Sequence, residues 1–157
     1  MSAASAYQRY RRLPAADRRL LREAAVSLAL ASVAIRLLPF RRLERLLTTS
    51  RAQLASRDAV APGRICRAVE AWGRRVPWRA MCFQQGLAVH WMLRRRGAAS
   101  RLHYGAAHDG AAGRIAAHVW VSVDGCVVIG GEVADYACLA VYPREPDTAD
   151  ARAGAPG

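Results

Sequence analysis

Cysteine and histidine together can carry covalent catalysis, and the chain has four of each. Cys82 opens the stretch CFQQGLAVHWMLRRRG, whose apolar content and closing Gly97 predict a helix. A thiol at the first position of a helix lies beside backbone N–H groups that have no partner within the helix, and these groups favour the thiolate. Cys82 is therefore a candidate nucleophile, although a cysteine taken alone is more often a small buried side chain.

His118 is the candidate proton acceptor. It lies in the segment AHVWVSVDGCVVIGG, where two apolar runs flank Asp124-Gly125, a pair typical of a two-residue hairpin turn. Side chains alternate along a strand, so His118 and Trp120 share one face. A regular register through this turn places Trp120 opposite Ile129 and His118 opposite Gly131. A cysteine at a helix start with a histidine on a strand is the arrangement of papain-like and transglutaminase-like enzymes, in which the histidine moves the thiol proton.

Apolar residues at helical spacing predict three helices before Cys82. The first begins near Pro14 and stops before Pro39, the second covers residues 41–47, and the third follows Pro62 and ends at residues 76–78. These helices must support the segment in which Cys82 lies.

After Gly97 the pattern changes to that of strands. Residues 101–107, the two arms of the hairpin and residues 136–142 are short apolar runs separated by turn residues. We therefore predict an α+β fold in which helices precede a small antiparallel sheet.

The chain of 157 residues, 53% of them hydrophobic, is long enough for one domain with a real core. We expect three regions along it. They are an N-terminal helical region (1–61), a catalytic core (62–143) and a disordered tail (144–157), the last because it consists mainly of Pro, Asp, Ala and Gly.

The composition argues against several classes of partner. The net charge is +12, but every basic residue is Arg and no aromatic platform accompanies them, so we expect no nucleic-acid partner. The four cysteines form no CxxC pair, so we expect no metal site and no disulfide framework. The longest apolar run, residues 24–35, is shorter than the roughly 20 residues that span a bilayer. A cytoplasmic location is the expectation, and a peripheral membrane contact stays open.

The stretch from Cys82 to Tyr142 resembles the leader peptidases of lasso-peptide biosynthesis, which are small transglutaminase-like cysteine proteases. The motifs that carry this resemblance are CFQQGLAVHWMLRRRG, LHYGAA, AHVWVSVDG and VVIGGEVADYACLAVYP, and the N-terminal RRLLREAAVSLALASVAIRLLPFRRLERLL is also similar. The resemblance implies a transglutaminase-like or papain-like core, with a nucleophile helix packed on a small antiparallel sheet behind N-terminal helices. It further implies that Cys82 is the nucleophile and His118 the general base and acid.

The same resemblance implies a substrate and partners. The substrate is a ribosomally made precursor peptide, from which the leader is removed so that the core can be cyclised. A small recognition protein binds the leader, an asparagine-synthetase-like cyclase closes the macrolactam, and no cofactor is needed. The Arg-rich N-terminal helices are either a docking surface for these partners or a solvated layer over the core. Two alternatives stay open: a transglutaminase-like acyl transferase, and a non-catalytic peptide-binding module.

The group that orients His118 is the point at which this sequence departs from the family. Members often carry an aspartate on the strand after the histidine strand, and the corresponding position here is Gly130. Glu132 is the nearest carboxylate and is our assignment for the orienting group. A backbone carbonyl, a side chain from elsewhere, or a dyad without an orienting group stay open.

Three more residues are candidates for substrate contact, each with a plainer alternative. Trp120 shares the face of His118 and either lines the cleft or packs in the core. Gln85 lies in the first helical turn after Cys82, where an amide also binds solvent. His108 lies in the HDGAAG loop, which is exposed by its pattern. We expect structural or surface roles for the remaining residues of these types, which are Cys66, Cys126, Cys138, His90 and His103.

Overall fold

Five helices precede four strands in the described part of the chain. The computed structural model describes residues 3–49, 60–109 and 114–143, and the predicted tail, residues 144–157, lies outside them. In chain order the elements are α1 (Ala3–Arg12), α2 (Ala15–Leu37), α3 (Phe40–Thr49), α4 (Pro62–Gly73), α5 (Cys82–Arg94), β1 (Ser100–Asp109), β2 (Arg114–Val123), β3 (Cys126–Ile129) and β4 (Ala137–Tyr142). This order confirms the predicted α+β class.

Prolines set the limits of the helices. α2 begins directly after Pro14, which has no N–H to lose at a helix start. It ends before Leu38, whose extended backbone (φ −97°, ψ 135°) is the conformation favoured before Pro39. Pro62 is the first residue of α4. The apolar pattern predicts α2, α3 and α4 but not α1, because the sequence of α1 is polar and basic.

α5 carries Cys82 at its first position and is closed by a glycine. Gly97 has a φ of 78°, a left-handed conformation that glycine adopts without strain. The backbone N–H groups of Gly97 and Ala98 donate to the carbonyl oxygens of Arg94 (3.0 Å) and Leu93 (3.1 Å). These bonds satisfy the last carbonyls of the helix, so the predicted helix from Cys82 to a glycine cap is confirmed.

The four strands form an antiparallel sheet in the order β3-β2-β1-β4. Asp124 and Gly125 join β2 to β3 with φ values of 50° and 81°. A type I′ turn requires positive φ at both central residues, so the predicted hairpin is confirmed.

The regular register predicted for this hairpin is wrong beyond its first pairs. Val123 pairs with Cys126, as a regular register requires. A bulge follows, so that Ile129 pairs with Val121 and not with Trp120. Because β3 accommodates one extra residue there, Gly130 and Gly131 are shifted by one position relative to β2.

One hydrophobic core joins the helices to the sheet. α5 packs against β1 and β2, while α2 and α4 pack against α5. Helices on both sides of residue 61 contribute to the same buried cluster. Its largest fully buried apolar members are Leu28, Leu47, Ile65, Val69, Leu87, Val89, Met92, Leu93, Leu102 and Val121. Within the described ranges, no helix combines the length and apolar content that crossing a bilayer requires.

Glu23 ties α2 to the end of α5. Its carboxylate lies 3.0 Å from Arg95 Nη2 and accepts a hydrogen bond of 2.9 Å from Arg96 Nη1. Burial raises the pKa of Glu23, but the hydrogen bond and charge of Arg96, with the charges of Arg95 and Arg19, outweigh it and hold the pKa below its usual value. This contact fixes the end of α5 against α2.

His90, in the middle of α5, is fully buried, and its Nδ1 lies 3.1 Å from Ser100 Oγ. Burial, together with the charge of Arg94, lowers the pKa of His90 to about 4. The folded protein therefore holds this imidazole neutral at pH values where the unfolded chain protonates it. Its contribution to stability is complete above the unfolded pKa of 6.5 and is lost as the pH falls towards 4.

We predict that lowering the pH from 7.5 to 5 reduces the free energy of unfolding, with His90 accounting for about 2 kcal/mol of the loss. His90→Gln removes this part of the pH dependence, whatever its effect on stability at pH 7.5. Urea unfolding at the two pH values measures the difference. His108→Gln, which replaces an exposed histidine in place of a buried one, is the control variant. An equal pH dependence in His90→Gln and the wild type contradicts the assignment.

Candidate active site

The start of α5 presents the Cys82 thiol, which is free and half-buried. Met81 precedes it with an extended backbone (φ −77°, ψ 178°), and its N–H donates to Gln84 Oε1 at 3.0 Å. The first backbone bond of the helix runs from the Gln85 N–H to the Met81 carbonyl at 3.2 Å. The Gln84 N–H is bonded to the Met81 side chain, whereas the N–H groups of Cys82 and Phe83 have no partner within the helix and provide donors for an anion beside the thiol.

Gln85 braces the segment that leads into Cys82. Its Nε2 donates to the Ala80 carbonyl at 2.7 Å. The amide also lies against α4, where a Cβ built on Gly73 would be only 2.8 Å from Gln85 Nε2. Because this amide already holds the protein's own backbone, a role for Gln85 in substrate binding stays a prediction.

A close approach of helix and strand sets the position of α5 on the sheet. Gly86 lies one turn after Cys82, and a Cβ built on it would be 2.9 Å from Val119 Cγ1. Val119 directly precedes Trp120 and directly follows His118 on β2. The absence of a side chain at Gly86 thus lets the first turns of α5 lie against Val119, whose side chain is on the opposite face of β2 from His118. In the described structure no hydrogen bond joins the Cys82 thiol to the His118 ring.

His118 is half-buried on β2, and its Nε2 lies 2.6 Å from the backbone carbonyl oxygen of Gly130. A carbonyl oxygen only accepts hydrogen bonds, so Nε2 carries the proton. In the neutral ring the lone pair is then on Nδ1. The contact therefore leaves Nδ1 as the atom that can take up a proton.

This carbonyl is the acceptor that the described structure provides at the position where the resemblance to leader peptidases predicts an aspartate. The bulge in β3 moves Gly130 against Trp120, whose Cα would be 2.8 Å from a Cβ at that position. Gly130 and Gly131 both have positive φ (119° and 68°). Glu132 is exposed beyond them, and its assignment as the orienting group stays a prediction.

Two aromatic rings enclose the imidazole of His118. Tyr136 packs on it with ring centroids 4.9 Å apart at 39°, and Trp120 lies at 6.3 Å and 24°. Trp120 is 6% exposed, and its indole covers Gly105 on the neighbouring strand. The structure thus brings Trp120 to His118, as the shared face predicts, and leaves little of its surface open.

Tyr136 is a contact that sequence reasoning missed. The run YACLAVY predicts that Tyr136 begins the last strand. The structure places it just before β4, in a turn where its N–H donates to the Val133 carbonyl at 3.1 Å. The sequence shows only that an aromatic residue follows Gly130 and Gly131 by a few positions. That pattern does not indicate that the ring packs on His118.

His108 lies apart from this cluster. The prediction that it lies in a loop is wrong, because β1 extends to Asp109 and places His108, exposed, opposite Ile115. Its proposed contact with substrate stays a prediction. Among the described residues, no group of three or more His, Cys, Asp or Glu side chains is arranged to hold a metal ion.

Comparison with protein families identifies the class to which this fold and site belong. A model of the transglutaminase-like superfamily matches residues 24–141, from within α2 to β4. The chain therefore belongs to the transglutaminase-like superfamily, whose members are typically proteases or acyl transferases that depend on a catalytic cysteine. No significant match to a curated protein or to a solved structure is found.

We predict that Gly130→Ala lowers the rate of catalysis about 10- to 100-fold, because the new Cβ collides with Trp120 and displaces the carbonyl that holds His118. The positive φ at this position adds strain to any residue other than glycine. Steady-state kinetics on a cleavable substrate, with thermal unfolding as a check of folding, measure the effect. Glu132→Gln is the control and keeps the rate within about twofold if the carbonyl is the orienting group. A large loss in Glu132→Gln alone assigns the role to the carboxylate instead.

Proposed function

We propose that this protein is a cysteine peptidase that removes the leader from a ribosomally made lasso-peptide precursor in the cytoplasm, where that precursor is made. The observation that carries the proposal is the bond from His118 Nε2 to the Gly130 carbonyl, which leaves Nδ1 free to act as a base. Membership of the superfamily supports cysteine chemistry, and the motifs from Cys82 to Tyr142 support the leader peptidase in particular.

The first half of the reaction forms a thioester. The mechanism requires the His118 ring and the Cys82 thiol to come together when the precursor is bound. His118 Nδ1 then takes the proton from the Cys82 thiol, and Sγ attacks the carbonyl carbon at the junction of leader and core. The oxyanion is stabilised by backbone N–H groups at the start of α5. His118 then gives its proton to the departing amine, which releases the core peptide with a new N-terminus.

The second half returns the enzyme to its resting state. His118 Nδ1 takes a proton from water, the oxygen attacks the thioester, and the leader leaves as a carboxylic acid while Cys82 regains its proton. If an amine replaces water, the same thioester gives acyl transfer. The acyl transferases of the superfamily are the reason to retain this second candidate.

Mass spectrometry of the products distinguishes the candidates. The full chain is incubated with the precursor and the recognition protein, and all products are identified. Two fragments whose masses sum to the precursor plus one water are expected for the peptidase. A peptide cross-linked to an amine identifies the transferase, and precursor that is bound but uncut identifies a binding module.

An apolar stripe on α2 is the surface on which we propose that the recognition protein docks. Val26, Leu30, Val33 and Leu37 follow helical spacing along α2, and Phe40 at the start of α3 extends the stripe; all five are at least 52% exposed. Beside the stripe lies a pocket of about 190 Å³ lined by Ala29, Ser32, Val33, Arg36 and Trp78. Arg36 offers a partner for acidic groups, so we expect an apolar partner surface with an acidic rim. The cyclase, which acts on the released core, completes the proposed set of partners.

We predict that Leu30→Asn weakens binding of the purified recognition protein at least about tenfold, since it places a polar group in the centre of the stripe. Titration calorimetry measures the affinity, and far-ultraviolet circular dichroism confirms the fold. Val127→Asn on β3, also an exposed apolar side chain, is the control and leaves the affinity unchanged. Equal affinities for Leu30→Asn and the wild type contradict this surface.

A further inference from the structure

A second cysteine and histidine face each other on the sheet, apart from the pair proposed for catalysis. Cys138 is exposed on β4, and its Sγ lies 3.8 Å from Nδ1 of His103 on β1. His103 Nε2 lies 2.8 Å from Ser122 Oγ on β2. Three adjacent strands thus supply a thiol, an imidazole and a hydroxyl in contact.

A bulge in the pairing of β1 and β4 produces this arrangement. Tyr104 pairs with Ala140, so a regular ladder would place Leu139 opposite Gly105, but Cys138 takes that position instead. Gly105 has no side chain, and the thiol therefore reaches the diagonal neighbour on the same face, His103.

The imidazole of His103 is held in place and is suited to accept a proton. It stacks on Trp120 with ring centroids 5.3 Å apart and planes within 2°. Burial, together with the charge of Arg101, lowers the pKa of His103, which favours the unprotonated ring that a base requires and also makes that ring a weaker base. If Nε2 donates its proton to Ser122 Oγ, the lone pair on Nδ1 is available to the Cys138 thiol, which also lies 3.7 Å from the Ala140 carbonyl oxygen.

We propose that Cys138, His103 and Ser122 form a reactive thiol site at which small hydroperoxides oxidise Cys138 to a sulfenic acid. The thiol is open to solvent and has one imidazole beside it, which suits a small electrophile. His103 Nδ1 takes the thiol proton, and the sulfur attacks one peroxide oxygen as the O–O bond breaks. The departing oxygen takes the proton from His103 and leaves as water or an alcohol. The sulfur is oxidised, the peroxide is reduced, and no other reactant is needed.

The chain contains a matched control thiol. Cys126, at the start of β3, is also exposed, and no described histidine ring lies within hydrogen-bonding distance of it. A difference between Cys138 and Cys126 therefore reports the contribution of His103 and not exposure alone.

The proposal is tested by treating the fully reduced chain with hydrogen peroxide at pH 7. Dimedone traps the sulfenic acid, and peptide mass spectrometry measures the trapped product at each cysteine. We expect Cys138 to be trapped at least about tenfold faster than Cys126. His103→Gln brings Cys138 to within about twofold of Cys126, while Cys126 itself is unchanged.

Ser122→Ala supplies a second variant, which keeps the imidazole and removes its hydroxyl partner, and it is expected to lower the rate at Cys138 about threefold or more. Equal rates at Cys138 and Cys126 in the wild-type chain overturn the proposal. So does an unchanged rate at Cys138 in both variants, provided that each shows the wild-type circular dichroism. No precursor is present in this experiment, so its outcome is independent of the proposed peptidase function.

Discussion

Replacement of Cys82 by alanine is expected to lower the rate of precursor cleavage by at least about 10⁴-fold, because the variant has no atom that can form the acyl-enzyme. The variant should fold as the wild type does, since the thiol is only half-buried at a helix start. Cleavage is followed by liquid chromatography and mass spectrometry with the recognition protein present, and binding of the precursor is measured in parallel.

Two other cysteines provide controls for this result. Cys126→Ala and Cys138→Ala change exposed thiols on the sheet and are expected to keep the rate within about threefold of the wild type. Loss of cleavage in Cys82→Ala with retained precursor binding separates chemistry from recognition. A Cys82→Ala variant that cleaves at the wild-type rate would remove the nucleophile from the proposed mechanism.

Replacement of His118 by alanine is expected to lower kcat about 10³-fold or more and to change KM little. The imidazole is needed twice in each half-reaction, once to take a proton and once to give it, whereas it makes no proposed contact with the bound leader. Single-turnover and steady-state kinetics with the precursor separate the two parameters.

His108→Ala is the matched control, because His108 is an exposed histidine on the adjoining strand. It should change kcat by less than about twofold. If His108→Ala and His118→Ala lower the rate equally, or if His118→Ala raises KM alone, His118 is a binding group and not the base.

A backbone carbonyl in place of a carboxylate has a physical consequence for the rate. The Gly130 oxygen selects the same tautomer of His118 that an aspartate would select. It carries no full charge, so it stabilises the imidazolium that forms during catalysis less than a carboxylate does. We therefore expect this protein to cleave the precursor, but at a lower rate than an enzyme with an aspartate in place of Gly130.

The sequence predicts those features of the site that depend on local chemistry. The helix start at Cys82, the glycine cap at Gly97 and the hairpin turn at Asp124-Gly125 all follow from residues adjacent in the chain. The shared face of His118 and Trp120 follows from strand alternation alone.

The features that escape prediction arise from contacts between segments distant in sequence. The bulge in β3 has no signal in its apolar run, yet it decides which atoms of the glycine pair face His118. A backbone carbonyl is present at every residue, so the pattern cannot single out Gly130 as the acceptor. The approach of Gly86 to Val119 and the packing of Tyr136 on His118 depend on the tertiary fold in the same way.

The central claim is that Cys82 is the nucleophile. Its most direct test is to identify the cysteine that reacts with a leader peptide ending in a chloromethyl ketone. This group is attacked by the thiol that would attack the scissile carbonyl, and the thioether it forms is stable to digestion. We predict that peptide mass spectrometry finds the leader on Cys82, and that His118→Ala abolishes the labelling. Labelling of Cys126 or Cys138 instead, or no labelling of a chain that cleaves the precursor, would contradict Cys82 as the nucleophile.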